Sequence, residues 1–507
     1  MMSFAYPQFN DDLVRATVLR GFEMHPMRRT FVVLAFILIA FSAAVHAEWS
    51  TSPATNLVVA DRSGDQVQPK IVATSDGGFY ISWFDNSAGG YDVYLQRLDA
   101  VGDEMWAHNG VLVADRSYGS TQDYGLGIDT AGNALLAFRD DRDGPDKVAV
   151  SKIAADGTLL WGTDGVRVSP GGDFVASPKV TGTTDGNVVV AWISNNDVKV
   201  QKLDPTGAAL WGGGVTLSPS NDSFSLADLH ASDAGTAILS FIAGPFMGPN
   251  HLWAQKLAAA DGALLWGAGH VQVYDGGSLQ IANYPPFVTD GAGGAVFSWY
   301  TTSEPTLQCR VQRILANGSE AFAHQGVVVS TNASQQRVGP SAAFLPSTEE
   351  IVVFWTEENG GQSQWGLYGQ KIDNAGVRQW TDSGLEYMPL SSDQVNNVLT
   401  LPFADGAIVT WIHNVSFDNQ PVYAIRVDGN GDFVWPGPVV EVGILPTASS
   451  RLAGALSSQG FAAHAWSDGD PDILAQNVNP DGSLGPGAIF VDGFESGDTT
   501  QWSDTIP

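Results

Sequence analysis

Residues 203–215 read LDPTGAALWGGGV. An Asp-Pro turn, a tryptophan and three glycines in so short a stretch admit two readings. One is a loop that cradles phosphate; the other is punctuation in something repeated. A phosphate loop needs Lys-Ser/Thr after its glycines and a helix opening there. Neither follows Gly214.

The stretch does repeat. Aligned on Gly-x-x-x-Trp, its relatives are LDAVGDEMW (98–106), IAADGTLLW (153–161), AAADGALLW (258–266), ILANGSEAF (314–322), IDNAGVRQW (372–380) and VDGNGDFVW (427–435), with a degenerate VNPDGSLGP at 478–486. The aromatics of the complete copies stand 55, 50, 55, 56, 58 and 55 residues apart. A second series lies earlier in each unit: Trp83, Phe138, Trp192, Phe241, Trp299, Trp355, Trp411 and Trp466, each closing a short apolar run such as GNVVVAW after an Asp/Gly turn. A third falls between them: YLQRL, AVSKI, KVQKL, WAQKL, RVQRI, YGQKI, YAIRV and LAQNV. These runs alternate with the period of a strand.

Each unit therefore reads as four strands. In the first, strand A is PKIVAT, turned by SDGG; strand B is FYISWF; strand C is YLQRLD; and the fourth runs toward VLVAD. A four-stranded antiparallel unit recurring at this period is the mark of a β-propeller. One such sheet cannot bury both faces alone, whereas a ring of them can. The segment EWSTSPATNLVVAD (48–61) matches the end of a unit and precedes eight A–B–C sets. The expectation is an all-β, eight-bladed propeller of four-stranded antiparallel blades, closed by that N-terminal strand.

Gly-x-x-x-Trp after an Asp-containing turn resembles the tryptophan-docking motif of the eight-bladed quinoprotein dehydrogenases. The resemblance covers the repeat over most of the chain and implies an indole packed on a neighbouring blade. It implies no quinone, because the vicinal cysteine pair expected near that cofactor cannot exist with Cys309 as the one cysteine. Of 16 tryptophans, twelve hold the strand-B or the turn register, which assigns them to inter-blade packing. Trp49 is a terminal copy; Trp253, Trp365 and Trp502 fall outside the scheme. Trp365, in the loop GGQSQWG, is the candidate for stacking on a ligand.

Residues 1–47 read as an export signal: Arg28 and Arg29, then the apolar run FVVLAFILIAFSAA (31–44), then Val45-His46-Ala47 as a cleavage site. The run is too short to span a bilayer comfortably, and no later stretch is apolar enough to cross. Residues 48–486 are assigned to the propeller and 487–507 to a tail. The chain carries 24 basic and 54 acidic residues, a formal charge of −30, which becomes more negative once the basic leader is removed. That charge argues against nucleic acid and anionic lipid as partners. The expected location is secreted, at the cell surface or in the periplasm of a Gram-negative bacterium, as a monomer. The ending IFVDGFESGDTTQWSDTIP (489–507) resembles a tail found on assorted exported bacterial proteins. A sorting tag and an ordered edge element are both open for it.

Catalytic motifs are absent. The seven histidines after position 47 are scattered singly, with no HExxH, no Cys/His cluster and no G-x-S-x-G. The D-x-N-x-D of Asp428, Asn430 and Asp432 lacks a downstream Glu and sits at a repeat turn. The basic residues of the third series read as a solvated or paired strand face. Variation concentrates in the B–C loops. Their acids crowd three units that ring closure makes neighbours: Asp85 and Asp92 in the first, Asp140, Asp141, Asp143 and Asp146 in the second, Asp468, Asp470 and Asp472 in the eighth. That sector is a candidate for Ca²⁺ or a cationic ligand; solubilising loops are the alternative. The functional expectation is an exported binding module for a glycan, a protein or envelope material. The alternative is a propeller glycoside hydrolase using carboxylates of several blades.

Overall fold

The structure is a computed structural model, which describes residues 48–219, 222–245, 248–302, 306–469 and 472–487. Among these, eight four-stranded antiparallel sheets follow one another along the chain. Blade 1 is Gln66–Ala73, Phe79–Asp85, Asp92–Leu98 and Val111–Ala114, paired in that order. Blades 2 to 7 repeat the order, and their first strands are Gly125–Ile128, Val175–Gly182, Ser223–Ala231, Phe287–Thr289, Gln335–Leu345 and Gln394–Phe403. Blade 8 has Ser450–Leu456, Ala462–Ser467 and Ile473–Val478 from the end of the chain. Its outer strand is Leu57–Ala60, with Leu57 opposite Ala475. The ring is thus closed by the N-terminal strand, as expected, which gives blade 8 the fourth, outer strand that the other blades have.

The first strands of neighbouring blades contact one another around the axis, so they form the innermost layer. The second strands are buried on both faces, which is why runs such as VVVAWIS lack polar alternation. The core lies between blades: Phe79, Ile81 and Trp83 of blade 1 share one cluster with Ala463, Ala465 and Ile473 of blade 8.

The turn tryptophans join each blade to the next. Trp49 donates its indole N–H to the Ala100 carbonyl at 3.1 Å, Trp106 to Ala155 at 3.1 Å, Trp161 to Pro205 at 3.1 Å and Trp211 to Ala259 at 3.2 Å. Trp266, Trp380 and Trp435 do the same to Ala316, Gly429 and Pro480. The glycine of each motif makes room for the preceding blade's ring. At Gly262 a Cβ would lie 3.0 Å from Trp211 and 2.4 Å from Val215, and its φ of +73° suits glycine.

Six of the seven basic residues of the third series pair with an acid, and the seventh, Arg426, donates to the Pro480 carbonyl at 2.6 Å. Lys202 Nζ reaches Asp185 at 2.6 Å and the carbonyls of Gly235 and Ala259, in blade 4, at 2.9 and 3.0 Å. Lys152, Lys256, Arg313 and Lys371 pair likewise with Asp129, Asp233, Asp290 and Glu350. The acid is that of the A–B hairpin turn, so the Asp-Gly turns also neutralise strand C. Asp428 is a turn residue, accepting from the N–H groups of Asn430 and Asp432 at 2.9 Å each. Cys309 is buried in Gln308–Ile314, and burial pushes its thiol up.

One boundary differs from expectation. Strand A of blade 1 begins at Gln66, not at Pro69. Its register slips between Val67 and Lys70, leaving Gln68 and Pro69 unpaired in a bulge. A proline lacks the N–H that a ladder needs; inside the bulge none is required.

Candidate functional site

That bulge recurs. The register slips between Ala176 and Lys179 in blade 3, Leu226 and Asp228 in blade 4, Val338 and Ser341 in blade 6, Asn396 and Leu399 in blade 7, and Ser450 and Ala453 in blade 8. In five blades the first bulged residue has a left-handed backbone: Gln68, Ser177, Gly339, Asn397 and Arg451, with φ between 46° and 57°. Bulges re-aim side chains at sheet rims and beside binding sites. These lie near the start of the inner strands, at the end of the ring where the B–C loops emerge. They form a collar at the mouth of the axial channel.

Beside the collar is a cavity of about 490 Å³, walled by blades 5 to 7 with Leu452 of blade 8. Its polar lining includes Asn283, Ser341, Asn396, Asn397, Thr356 and Glu358; its aromatic lining includes Trp365 and Tyr300. Trp365 opens strand C of blade 6 (Trp365–Ile372) and is half-buried. Its indole N–H donates to Glu358 Oε1 at 3.2 Å. Glu358 lies opposite it in the sheet, near the end of Glu350–Asn359. The residue singled out from the loop sequence thus lies on a cavity wall with its nitrogen anchored.

Beneath that wall, Arg337 and Glu357 form a buried ion pair at 3.1 Å. Arg337 also donates to Gln308 at 2.7 Å, and Trp355 donates to Glu357 at 2.5 Å. Burial pushes the Glu357 carboxyl up despite the guanidinium beside it. The pair is sealed from solvent and stiffens the strand that carries Glu358.

A second space of about 430 Å³ continues along the axis and shares Asn397 and Leu452 with the first. Gln68, Lys70, Asp123, Ser177, Tyr284 and Arg451 line it. Further along, the wall carries Lys179, Asp228 and His230. Lys70 and Lys179 occupy the same register of blades 1 and 3, directly after the bulge, and both pair with Asp123. Burial lowers the Lys70 ammonium, with Lys179 adding to the effect, against the pull of Asp123. Asp228 bonds His230 at 2.9 Å, and that carboxylate raises the imidazole.

The acidic sector is organised by arginines. Asp85 lies 3.6 Å from Arg62. Asp92 accepts the Arg116 N–H at 2.6 Å, and burial pushes its carboxyl up. Asp140 pairs with Arg142 at 2.7 Å and Arg167 at 3.5 Å; Asp143 pairs with Arg167 at 2.6 Å; Asp146 pairs with Arg139. Asp141 accepts from the Ser117 N–H at 3.1 Å. In blade 8 the Asp468 N–H donates to the Asp472 carbonyl at 2.9 Å, across the hairpin, and Asp470 lies outside the described residues. Asp140 and Asp143 are brought together, on Arg167. Among the described residues no three His, Cys, Asp or Glu side chains converge as metal ligands would.

The collar escaped the sequence reading. Its signal was present as Gln-Pro-Lys (68–70), Ser-Pro-Lys (177–179) and Gly-Pro-Ser (339–341), a proline inside an apparent strand. Asn397 and Arg451 stand at the same position without a proline, so alignment on proline alone finds three of the five left-handed collar positions.

No family model matches the chain, and no curated protein matches it. Among solved structures it is similar to a polysaccharide lyase, the ulvan lyase bound to a saccharide, with a TM-score of 0.46 at 14% identity over 76% of this chain and 97% of that one. It is also similar to the Dos1 propeller, at 0.44 and 14% over 84% and 95%, and to an α-L-arabinanase of Penicillium chrysogenum complexed with arabinobiose, at 0.37 and 10% over 84% and 98%. At these identities the likeness is one of fold.

Proposed function

We propose that this propeller is a glycan-binding module, and that the cavity between blades 5 and 7 is where the sugar lies. The supporting observation is Trp365, a half-buried indole on the wall of a cavity that the amides of Asn283, Asn396 and Asn397 also line. A sugar ring offers an apolar C–H face for an aromatic and a rim of hydroxyls that amides can both donate to and accept from. Glycoside hydrolysis asks for two carboxyl groups about 5–10 Å apart. Glu358 is the one carboxylate in the lining, and its neighbour Glu357 is sealed against Arg337. That favours binding without cleavage. The reading places the protein outside the cell, with residues 1–47 as its export signal, and takes its indole-on-glycine contacts as the same device as quinoprotein tryptophan docking.

The test is retention of purified protein on an array of polysaccharides, with Trp365→Ala beside the wild type. The expected outcome is specific retention lost in the variant, with no shortened sugars released. Released oligosaccharides would replace this reading with the hydrolase. Retention that is indifferent to Trp365 would move the site elsewhere on the ring.

A further inference from the structure

We infer that the axial space next to this cavity is an anion subsite, and that the glycan recognised carries carboxylate groups, as uronic acids do. The inference rests on the glycan reading above and specifies its substrate class.

The chain is strongly acidic, at −30, yet the charged residues lining the axial space are Lys70, Arg451 and Asp123. Asp123 also holds Lys179 of blade 3. Asp123 is the carboxylate bonded to both ammonium groups, Asp228 also attracts them from further along the wall, and Arg451 makes three cations against two carboxylates. The next carboxylate along the wall, Asp228, is engaged by His230. The space keeps an excess of positive charge where the rest of the molecule is negative. Enclosure between low-dielectric walls strengthens its hold on an anion.

Arg451 is the distinctive element. It is the first bulged residue of blade 8, exposed, with φ of +57°. Among the described residues its side chain makes no ion pair or hydrogen bond. A left-handed backbone is costly for a side chain of this size, so the collar holds an arginine in a disfavoured conformation with its guanidinium uncommitted. A guanidinium fork matches a carboxylate in two parallel hydrogen bonds. The two spaces meet at Asn397 and Leu452. An oligosaccharide can thus place one ring against Trp365 and the carboxylate of another beside Arg451 and Lys70.

The test uses matched polymers, pectate and fully methyl-esterified pectin, which share a backbone and differ in charge. Wild-type protein is expected to bind pectate about tenfold more tightly at low salt, the scale of a charge-assisted hydrogen bond. Arg451→Ala and Lys70→Gln, each checked for an unchanged melting temperature, should lose that preference and keep their affinity for the ester. Trp365→Ala should weaken both. Equal binding of both polymers by wild type, or a preference that survives the Arg451→Ala/Lys70→Gln double variant, overturns the anion subsite and leaves the glycan reading standing. Retention of neither polymer by a protein that the polysaccharide array does retain overturns the anion subsite, and retention on nothing in the array overturns the glycan reading as well. Because Arg451 is exposed and unpaired, its variant stays informative should Lys70→Gln misfold.

Discussion

Phe322 lies against Gly376 at the junction of blades 5 and 6. A Cβ at Gly376 would stand 3.0 Å from the phenyl edge. Seven other junctions place an indole in this position and tie it to a carbonyl of the next blade. Phenylalanine keeps the packing and has no N–H to donate. The carbonyl at the equivalent position is that of Asn374, two residues before Gly376. Phe322→Trp should therefore add the missing bond and stabilise the ring by about 1 kcal/mol, read as a higher urea midpoint. A lower midpoint would mean that this junction is too tight for an indole.

The glycines of the 203–215 stretch and of its neighbour should separate backbone strain from collision. Gly262 has φ of +73° and a blocked Cβ position; Gly212 has φ of +57° and nothing within 4 Å; Gly213 is equally open and has no positive φ. Gly212→Ala should cost about 1 kcal/mol, the left-handed backbone penalty. Gly262→Ala should cost roughly 2–4 kcal/mol, because overpacking adds to it. Gly213→Ala should be neutral or slightly stabilising through the unfolded chain. Equal costs at Gly212 and Gly262 would show that the indole moves aside freely.

The buried pair of Arg337 and Glu357 should behave as a unit. Arg337→Met leaves a sealed carboxylate and should cost about 3–5 kcal/mol. The double change Arg337→Met/Glu357→Met should cost less than Arg337→Met alone, since no uncompensated charge remains. Denaturant melts of the three proteins give the comparison. Additive losses would indicate that the pair is not coupled.

Histidines should give the stability two opposed pH dependences. His324 sits between Glu320 and Asp275, at 2.9 and 3.0 Å, and the Glu320 carboxylate raises its imidazole. His108 sits likewise between Glu104 and Asp61, whose pull exceeds the opposing effect of burial. A raised folded pKa means a contribution that is full below the ordinary value of about 6.5 and fades as pH rises through the folded one. His464 is the reverse. Burial holds it neutral down to about 4, with Thr410 beside Nε2 at 2.9 Å. Its contribution is full above about 6.5 and is lost as pH falls toward 4. Melting temperatures between pH 4 and 8 should show His108→Asn/His324→Asn flattening the alkaline decline and His464→Leu flattening the acid one. Unchanged slopes in both variants would assign the pH response to the carboxylates.

Much of the fold was legible because its determinants are local and recur. Eight copies of a turn, an apolar run and an aromatic outvote any ambiguity in one copy. The closing strand could be read from LVVAD at 57–61, since it repeats the VLVAD of 111–115. Trp365 stood out because it lies in a variable loop sequence, outside the two registers that twelve of the tryptophans keep. The Asp-Gly turns could be named as hairpins, but not as partners of strand C, because the lysine they hold lies some 17 to 23 residues away in sequence.

The sequence by itself determined the repeat, the strand count, the ring closure and the role of the tryptophans, all of which follow from periodic burial. Tertiary structure decided where charge goes and where a ligand fits. Loop acids that look like a cation site meet Arg139, Arg142 and Arg167 only after folding. Lys70, Asp123 and Arg451, drawn from blades 1, 2 and 8, meet only because the ring curves their inner strands onto one axis. Composition records a charge without its neighbours, and the strength of a charge depends on the neighbours.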